Sequence, residues 1–392
     1  MTYLTPAKRA VLASTFLLRP IGTTPAVACR AQRFMLFHES GKAKAVEAIV
    51  TQMPLTHQAP PPAFAPVQPT KPARPIQPLQ HAFATNQLNI LEQSHKPKFY
   101  ETISKIMDIR QRYVEDRSVF IESRDMVPLM LGLGASPEDM ERLQVVSDNL
   151  YHDPTLPFRR SRNGRFCIDF DTNTLRRLEF QPFMLSVEED FKRHDSGKIR
   201  RFDEVKDDLQ LNSVFQALFA FKAMILHGVP TVQRPRLEYD NNKWVTTLFN
   251  LRTVTTPDIL GEPALEGVHS DGVDHTMTTY LGSNNMAPNS AATFMHGMGE
   301  TTGIQFDEIS PHHLLSRVQH KNFLDTLLIV DHERKHSLSA VYPIDKTKEA
   351  TRDMLIFFTR KPVEKTHTSG SIDSLTPHQD MPMEVPIFVP RT

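Results

Sequence analysis

Glu266-Gly267-Val268-His269-Ser270-Asp271-Gly272-Val273-Asp274 places an imidazole and a carboxylate two residues apart, with glycines close on both sides. In an extended strand residues i and i+2 share a face. His269 and Asp271 can therefore aim a ring nitrogen and a carboxylate oxygen at one point. They supply two of the three ligands of a facial triad, in which two histidines and one carboxylate hold Fe(II) and leave other positions open. Gly267 and Gly272 permit turns and close backbone approach beside them. Alone, His-x-Asp is a short pattern in a chain with 17 histidines. It needs a second histidine from a later strand.

Two histidines stand at the same strand parity in Asp331-His332-Glu333-Arg334-Lys335-His336, a charged loop between apolar runs. His336 opens the alternating run Ser337 to Tyr342, and His332 competes with it. Further on, Arg352 and Asp353 precede the apolar strand Met354-Leu355-Ile356-Phe357-Phe358. A buried arginine facing a metal can take the far carboxylate of a 2-oxo diacid by a two-pronged hydrogen bond. The plainer reading is an arginine in an edge-strand ion pair. His275, His296, His312, His313 and His320 fall in no ligand pattern and read as packing or surface residues.

Around these motifs the period changes along the chain. Apolar residues Tyr100, Ile103, Ile106, Met107, Ile109, Tyr113 and Val114 follow helical spacing. Ser136-Pro137-Glu138-Asp139 has the form of a helix start, with a helix expected to about Asn149. Ser186-Val187-Glu188-Glu189 repeats a capping-box pattern, and Asp207 to Leu226 reads as one apolar helix stopped by Gly228 and Pro230. After Gly228, Trp244–Val254, Val273–Tyr280, Leu327–Val330, Ser337–Ile344 and Met354–Phe358 are rich in β-branched and aromatic residues. The expected fold is mainly β with flanking helices.

Composition narrows the function. Lysine plus arginine equals aspartate plus glutamate, at 45 each, which argues against nucleic acid or a polybasic membrane surface as partner. No apolar run has the length of a membrane-spanning helix. Two cysteines, Cys29 and Cys167, form no disulfide framework, and a reducing, cytoplasmic location is expected. Residues 1–38 contain no acid and read as a transit peptide, which would make the location mitochondrial, or as a disordered extension. Residues 39–95 include a proline-dense stretch and read as a disordered linker. A helical extension over 96–165, a catalytic domain over 166–362 and a flexible tail over 363–392 complete the expected organisation.

Together the motifs resemble the Fe(II)/2-oxoglutarate dioxygenase family that includes bacterial L-isoleucine hydroxylases. The resemblance rests on Pro263-Ala264-Leu265-Glu266-Gly267-Val268-His269-Ser270-Asp271-Gly272, on Asp331 to His336 with Val341-Tyr342-Pro343-Ile344, and on Arg352-Asp353-Met354-Leu355. It covers roughly residues 176–359. It implies a double-stranded β-helix (jelly-roll) core, iron at His269, Asp271 and His336, and 2-oxoglutarate held by Arg352. It also implies consumption of O2 with release of succinate and CO2, ascorbate as a helpful additive in vitro, and a small-molecule substrate, a free L-amino acid. Arg252 and Asp274 are candidates to pair with such a substrate's carboxylate and ammonium, and a structural role is the stronger reading for both. The family has an Arg-x-Asn and paired glycines where this chain has Ser283 to Asn289, a departure beside the expected pocket. Two other readings stand beside this one: a non-catalytic metal-binding jelly roll, and a hydroxylase acting on a protein or peptide side chain. The sequence carries no signal for oligomeric state.

Overall fold

The computed structural model describes residues 88–186, 196–305, 307–370 and 372–390. The expected transit segment, most of the proline-dense linker and three residues of the Ser186 capping box lie outside the described residues. From Leu88 the chain is already part of the fold, since the Leu88 amide donates to Gln216 Oε1 at 2.6 Å and Ile90 is buried. The linker therefore ends before residue 95.

The helices are α1 (Ile90–Gln93), α2 (Pro97–Asp116), α3 (Ser123–Gly132), α4 (Pro137–Gln144), α5 (Asp207–Gln210) and α6 (Ser213–Leu226). The strands are β1 (Ser118–Ile121), β2 (Arg159–Asp169), β3 (Thr174–Leu178), β4 (Asp203–Glu204), β5 (Lys243–Thr255) and β6 (His275–Asn284). They continue with β7 (Thr293–His296), β8 (Leu314–Val318), β9 (Thr326–Val330), β10 (Lys335–Leu338), β11 (Ala350–Arg360) and β12 (Glu384–Pro386). Nine strands form one sheet in the order β1-β9-β6-β11-β5-β2-β3-β12, with β4 beside β2. A smaller sheet runs β10-β7-β8. Apart from the parallel β2–β4 contact, the pairings are antiparallel.

Strand β11 explains how the layers stack. Its even residues Arg352, Met354, Ile356 and Phe358 line a cavity between the two sheets. Its odd residues Leu355 and Phe357 enter the core formed with the helices. Phe357 stacks on Phe215 of α6 at 6.2 Å and meets Phe219 edge-on at 5.1 Å. Every residue of α6 is buried, because the sheet covers one side and α2, α3 and α4 cover the others. Its start is fixed by Asn212, whose side chain accepts from the Val214 and Phe215 amides and donates to Asp139 O. The expected helix over 207–226 is thus two helices, broken where Asn212 caps the second.

Other expectations are corrected by packing. Helix α2 buries Phe99, Ile103, Ile106, Ile109 and Tyr113, whereas Tyr100 is exposed. Ser136 caps α4 as expected, but the helix ends at Gln144 rather than Asn149. Residues 96–165 are not a separate extension, since α2, α3 and α4 share one core with α6 and the boundary at 165 runs through β2. Strand β2 gave no β signal because Arg-Arg-Ser-Arg-Asn-Gly-Arg reads as a polar loop. In the fold its buried arginines have carboxylate partners: Arg162 pairs with Asp208 and Arg165 with Asp373. Nor is 363–392 a free tail, for Met383, Val385 and Ile387 are buried in the core and β12 pairs with β3. No helix among the described residues is long and apolar enough to cross a membrane.

Lys222, in mid-α6, is fully buried and donates from Nζ to the Phe357 carbonyl at 2.9 Å. Burial holds its amine well below its ordinary value of 10.5. The unfolded chain therefore keeps this proton to a higher pH than the folded chain does, and folding is penalised until the pH reaches about 10.5. Lys222→Met should raise the melting temperature at pH 7, with a gain that shrinks as the pH approaches 10.5. A pH-independent effect in a melting series would contradict this account of the buried amine.

Candidate metal centre and its cavity

His269 and Asp271 lie on the segment between β5 and β6, and His336 lies in β10. The two histidines are joined by their backbones: each amide donates to the other's carbonyl at 2.9 Å. His269 Nε2 stands 3.4 Å from Asp271 Oδ1, and His336 Nε2 stands 3.6 Å from the same oxygen. All three are buried, and one donor atom from each lies within 4.8 Å of the others. His332, the competing candidate, instead faces Arg234, whose Nη1 lies 2.9 Å from its Nδ1.

The backbone between these ligands is held by other groups. Gly267 has φ of 71° and Gly272 has φ of 77°, a region that favours glycine. A Cβ on Gly267 would stand 2.2 Å from the Ile304 carbonyl oxygen. Asp331, fully buried after β9, accepts from the amides of Asp271 at 2.8 Å and Val273 at 3.3 Å. Its own turn is tied to the end of α2 by the Arg117–Glu333 ion pair, with Nε–Oε2 at 2.7 Å. The helical layer thus fixes the loop that carries the carboxylate.

Hydrogen bonds also set the ligands' protonation and aim. His269 Nδ1 lies 2.8 Å from the Gly267 carbonyl. That contact is satisfied when Nδ1 carries the proton, leaving the Nε2 lone pair for a metal. Thr276 Oγ1 donates to Asp271 Oδ2 at 2.7 Å and leaves Oδ1 facing the two imidazoles. Burial opposes charge on His269, yet the carboxylates of Glu266 and Asp271 and the Gly267 carbonyl raise it to about 9. Burial lowers His336 to about 4. Burial likewise opposes ionisation of Asp271, but His336 and His269 beside it hold its carboxyl below the usual range. A metal would displace the second proton of His269, after which two imidazole nitrogens and one carboxylate oxygen converge, a set that suits a borderline divalent ion such as ferrous iron.

The cavity beside this centre has two unlike ends. At one end Arg352 projects from β11, buried, with its Nε lacking a hydrogen-bond partner. Among the described residues it forms no ion pair, since the adjacent Asp353 points to the opposite face and binds Arg252. Burial pulls the guanidinium down to about 10, so it stays charged at neutral pH. At the other end, Phe183, Phe202, Phe249 and Phe358 form an aromatic wall, while Arg159 stands level with Arg352, both opposite Thr253 of β5, and donates from Nη2 to the Pro263 carbonyl at 2.6 Å. The Arg200 guanidinium lies over the Phe183 ring at 4.8 Å, and a Glu266 carboxylate oxygen lies 3.9 Å from His269 Nε2.

Arg252 and Asp274 do not reach this cavity. Along β5, Phe249 and Leu251 line it, so the alternating residues Asn250 and Arg252 face away. Arg252 clasps Asp353 through Nε at 2.6 Å and Nη2 at 2.7 Å. Asp274 accepts from the Tyr239 hydroxyl and, at 3.1 Å, from the Lys361 amide. Their candidacy as substrate contacts is corrected to a structural role. The departure at Ser283 to Asn289 lies in a turn where Asn285 bonds to Asp345 and Lys348, outside the cavity lining. Sequence reasoning missed Asp331, Thr276, Phe183, Phe202, Arg159 and Arg200. Of these only Asp331 stands inside a quoted motif, as Glu266 does in the other.

The 2OG-Fe dioxygenase family matches residues 144–358. A curated relative, "Bifunctional enzyme flvA" of Aspergillus flavus, is 46% identical over 302 residues, covering 77% of this chain. The match covers 37% of that relative, so the chain spans little more than a third of its length. A solved structure, "Fe(II)/(alpha)ketoglutarate-dependent dioxygenase TqaL", is 61% identical, with 75% of this chain and 98% of that one covered and a TM-score of 0.65. A bsmA homolog from Methylobium petroleophilum, 18% identical with 65% and 93% covered and a TM-score of 0.52, shares the fold. The family match spans more than half the chain and contains all three convergent ligands and Arg352, and the chain belongs to the 2OG-Fe dioxygenase family.

Proposed function

We propose that the protein is an Fe(II)- and 2-oxoglutarate-dependent dioxygenase that hydroxylates a free L-amino acid. His269, Asp271 and His336 hold the metal, and Arg352 holds the distal carboxylate of 2-oxoglutarate. The overall change balances as substrate C–H plus 2-oxoglutarate plus O2 giving substrate C–OH plus succinate plus CO2. The observation that carries this reading is a single cavity with three convergent ligands in its wall and a buried arginine lacking an ion-pair partner at one end. The two facing sheets fit the double-stranded β-helix that the resemblance implies.

When bound, iron with 2-oxoglutarate and O2 supplies the oxidising chemistry, and the chain supplies position and a dry cavity. Thr276 orients the Asp271 carboxylate, and Gly267 fixes the His269 ring. Arg352 meets a carboxylate with a planar fork, which sets the length of the oxo acid between itself and the ligands. At the opposite end the aromatic wall accepts an apolar side chain. Glu266 is placed for an ammonium, and Arg200 for a carboxylate. That polarity, one acid and one cation beside an apolar slot, supports an amino acid over an uncharged hydrocarbon.

Iron-loaded protein given 2-oxoglutarate, ascorbate and a panel of apolar L-amino acids should release succinate and yield a product heavier by one oxygen. Asp271→Ala should abolish both. If peptides support turnover and free amino acids do not, the substrate assignment fails while the reaction class stands; absence of turnover with either ends the proposal. Arg352→Gln should weaken 2-oxoglutarate binding by about a hundredfold or more, measured anaerobically, without loss of iron. Glu266→Gln should raise the KM for the amino acid by about ten- to a hundredfold and leave 2-oxoglutarate affinity near wild type. Equal KM values in wild type and variant would remove Glu266 from substrate recognition.

A further inference from the structure

Part of the aromatic wall of the cavity is carried by a narrow ribbon of chain. Phe183 and Arg200 each donate an amide to the other's carbonyl at 2.9 Å, and the Gly197 amide donates to the Leu185 carbonyl at 2.8 Å. Phe183, Leu185, Arg200 and Phe202 all line the cavity. The ribbon leans on the large sheet through ring contacts, Phe183 with Phe249 at 5.0 Å and Phe202 with Phe249 at 5.2 Å. Burial of apolar surface is favourable in many arrangements, so these contacts alone leave the depth of the ribbon unset.

Directed bonds reach the root of the ribbon from the C-terminal segment. Gln181 Oε1 accepts from the Ser374 amide at 3.2 Å, and Gln181 Nε2 donates to Ser374 Oγ at 3.2 Å and to Glu179 Oε1 at 2.7 Å. The Glu179 amide donates to the Thr376 carbonyl at 2.9 Å. Beside Ser374, Asp373 takes two guanidiniums: Arg165 of β2 donates to Oδ1, and Arg360 of β11 donates from Nη2 to Oδ2 at 2.8 Å. Arg165 Nη2 also donates to the Ser374 carbonyl at 2.9 Å. One carboxylate thus holds two largely buried cations together, and its loss would leave them to repel. A second cavity of about 20 Å³ lies among these groups, lined by Arg165, Arg360, Asp373, Gln181 and Phe183. Phe183 lines both cavities and is a partition between them.

We infer that Asp373 is a positioning residue for the substrate: through the Arg165–Asp373–Arg360 cluster and the Ser374–Gln181 pair it fixes Phe183, and so sets the width of the apolar slot. The inference rests on the proposed amino-acid site. Asp373 does not line the metal-bearing cavity, so it acts on the substrate only through the wall. Asp373 and Ser374 also lie past residues 144–358, so the family match does not include this clamp. Without the clamp Phe183 is free to withdraw toward the small cavity. A long apolar side chain depends on the wall for its contacts, whereas a methyl side chain does not reach it. Asp373 therefore acts selectively on long side chains, which an ion pair that only stabilises the fold would not do.

The test is anaerobic titration of protein loaded with iron and 2-oxoglutarate, read by the change in visible absorption of the metal–oxo acid complex. The ligands are L-alanine and the longest apolar L-amino acid that the wild type binds. Asp373→Asn should weaken the long amino acid by about ten- to a hundredfold and alanine by less than about twofold. Asp373→Glu, which keeps the charge, should recover most of the loss. Phe183→Ala should show the same selective loss, and adding Asp373→Asn to it should cost little more, because the two act in series. Wild-type affinities in Asp373→Asn overturn the inference. Equal losses for both amino acids, or full additivity with Phe183→Ala, also overturn it, since each marks a general loss of structure. Should Asp373→Asn not fold, Gln181→Ala cuts only the Ser374 arm and carries the same expectation, and wild-type affinities there overturn the inference. If the wild-type protein binds no free amino acid, the proposed substrate class fails first and takes this inference with it.

Discussion

The alternation of side chains along β11 is the constraint from which both the core and the cavity follow. This strand lies between β5 and β6 and is covered on both faces. One face sends Leu355 and Phe357 into the helical core, and the other presents Arg352, Met354, Ile356 and Phe358 to the cavity. A one-residue slip against β5 would put the Arg352 guanidinium among phenylalanines and Asp353 into the cavity. Paired over eleven positions with β5 and nine with β6, the strand has no low-cost alternative register. The Arg252–Asp353 clasp acts in the same direction, because it forms only when both residues face away from the cavity. Folding the core and placing Arg352 are therefore one event.

How much of this the sequence revealed depended on range. His269 and Asp271 were readable because strand geometry alone brings i and i+2 together. His336 was one of two candidates until the resemblance favoured it, since nothing local tells which strand will meet Gly267 to Asp271. Arg352 was legible as an arginine ahead of an apolar strand, and its isolation from acids became visible only in three dimensions. For Arg252 the structural reading was the stronger one, and the same period-two rule supports it: the residue shares parity with Asn250, not with Phe249. Arg200 and Phe183 gave no signal because loops or short bridges deliver them. Strand β2 was hidden because buried arginines with distant carboxylate partners look, in sequence, like a solvated loop.

Charge gives a second view of the cavity. On the proposed assignment, ferrous iron and Arg352 bring three positive charges to a buried space, and Asp271 removes one. A dicarboxylate such as 2-oxoglutarate removes the remaining two. A buried site approaches neutrality because uncompensated charge is costly away from water. A monoanionic oxo acid of the same shape at the keto end would leave Arg352 unmatched. Selection of the co-substrate thus comes from charge balance as well as from the length between the ligands and the guanidinium.

The reciprocal amide–carbonyl pair between His269 and His336 has one more consequence. In many metalloproteins the ion gathers side chains that are otherwise far apart, and its removal undoes the surrounding structure. Here two of the donors are neighbours by virtue of main-chain bonding, before any cation arrives. Chelation would then strip the ion from an intact scaffold, and recharging would need no refolding. The catalyst can pass between empty and loaded forms as a matter of iron supply rather than of conformational survival.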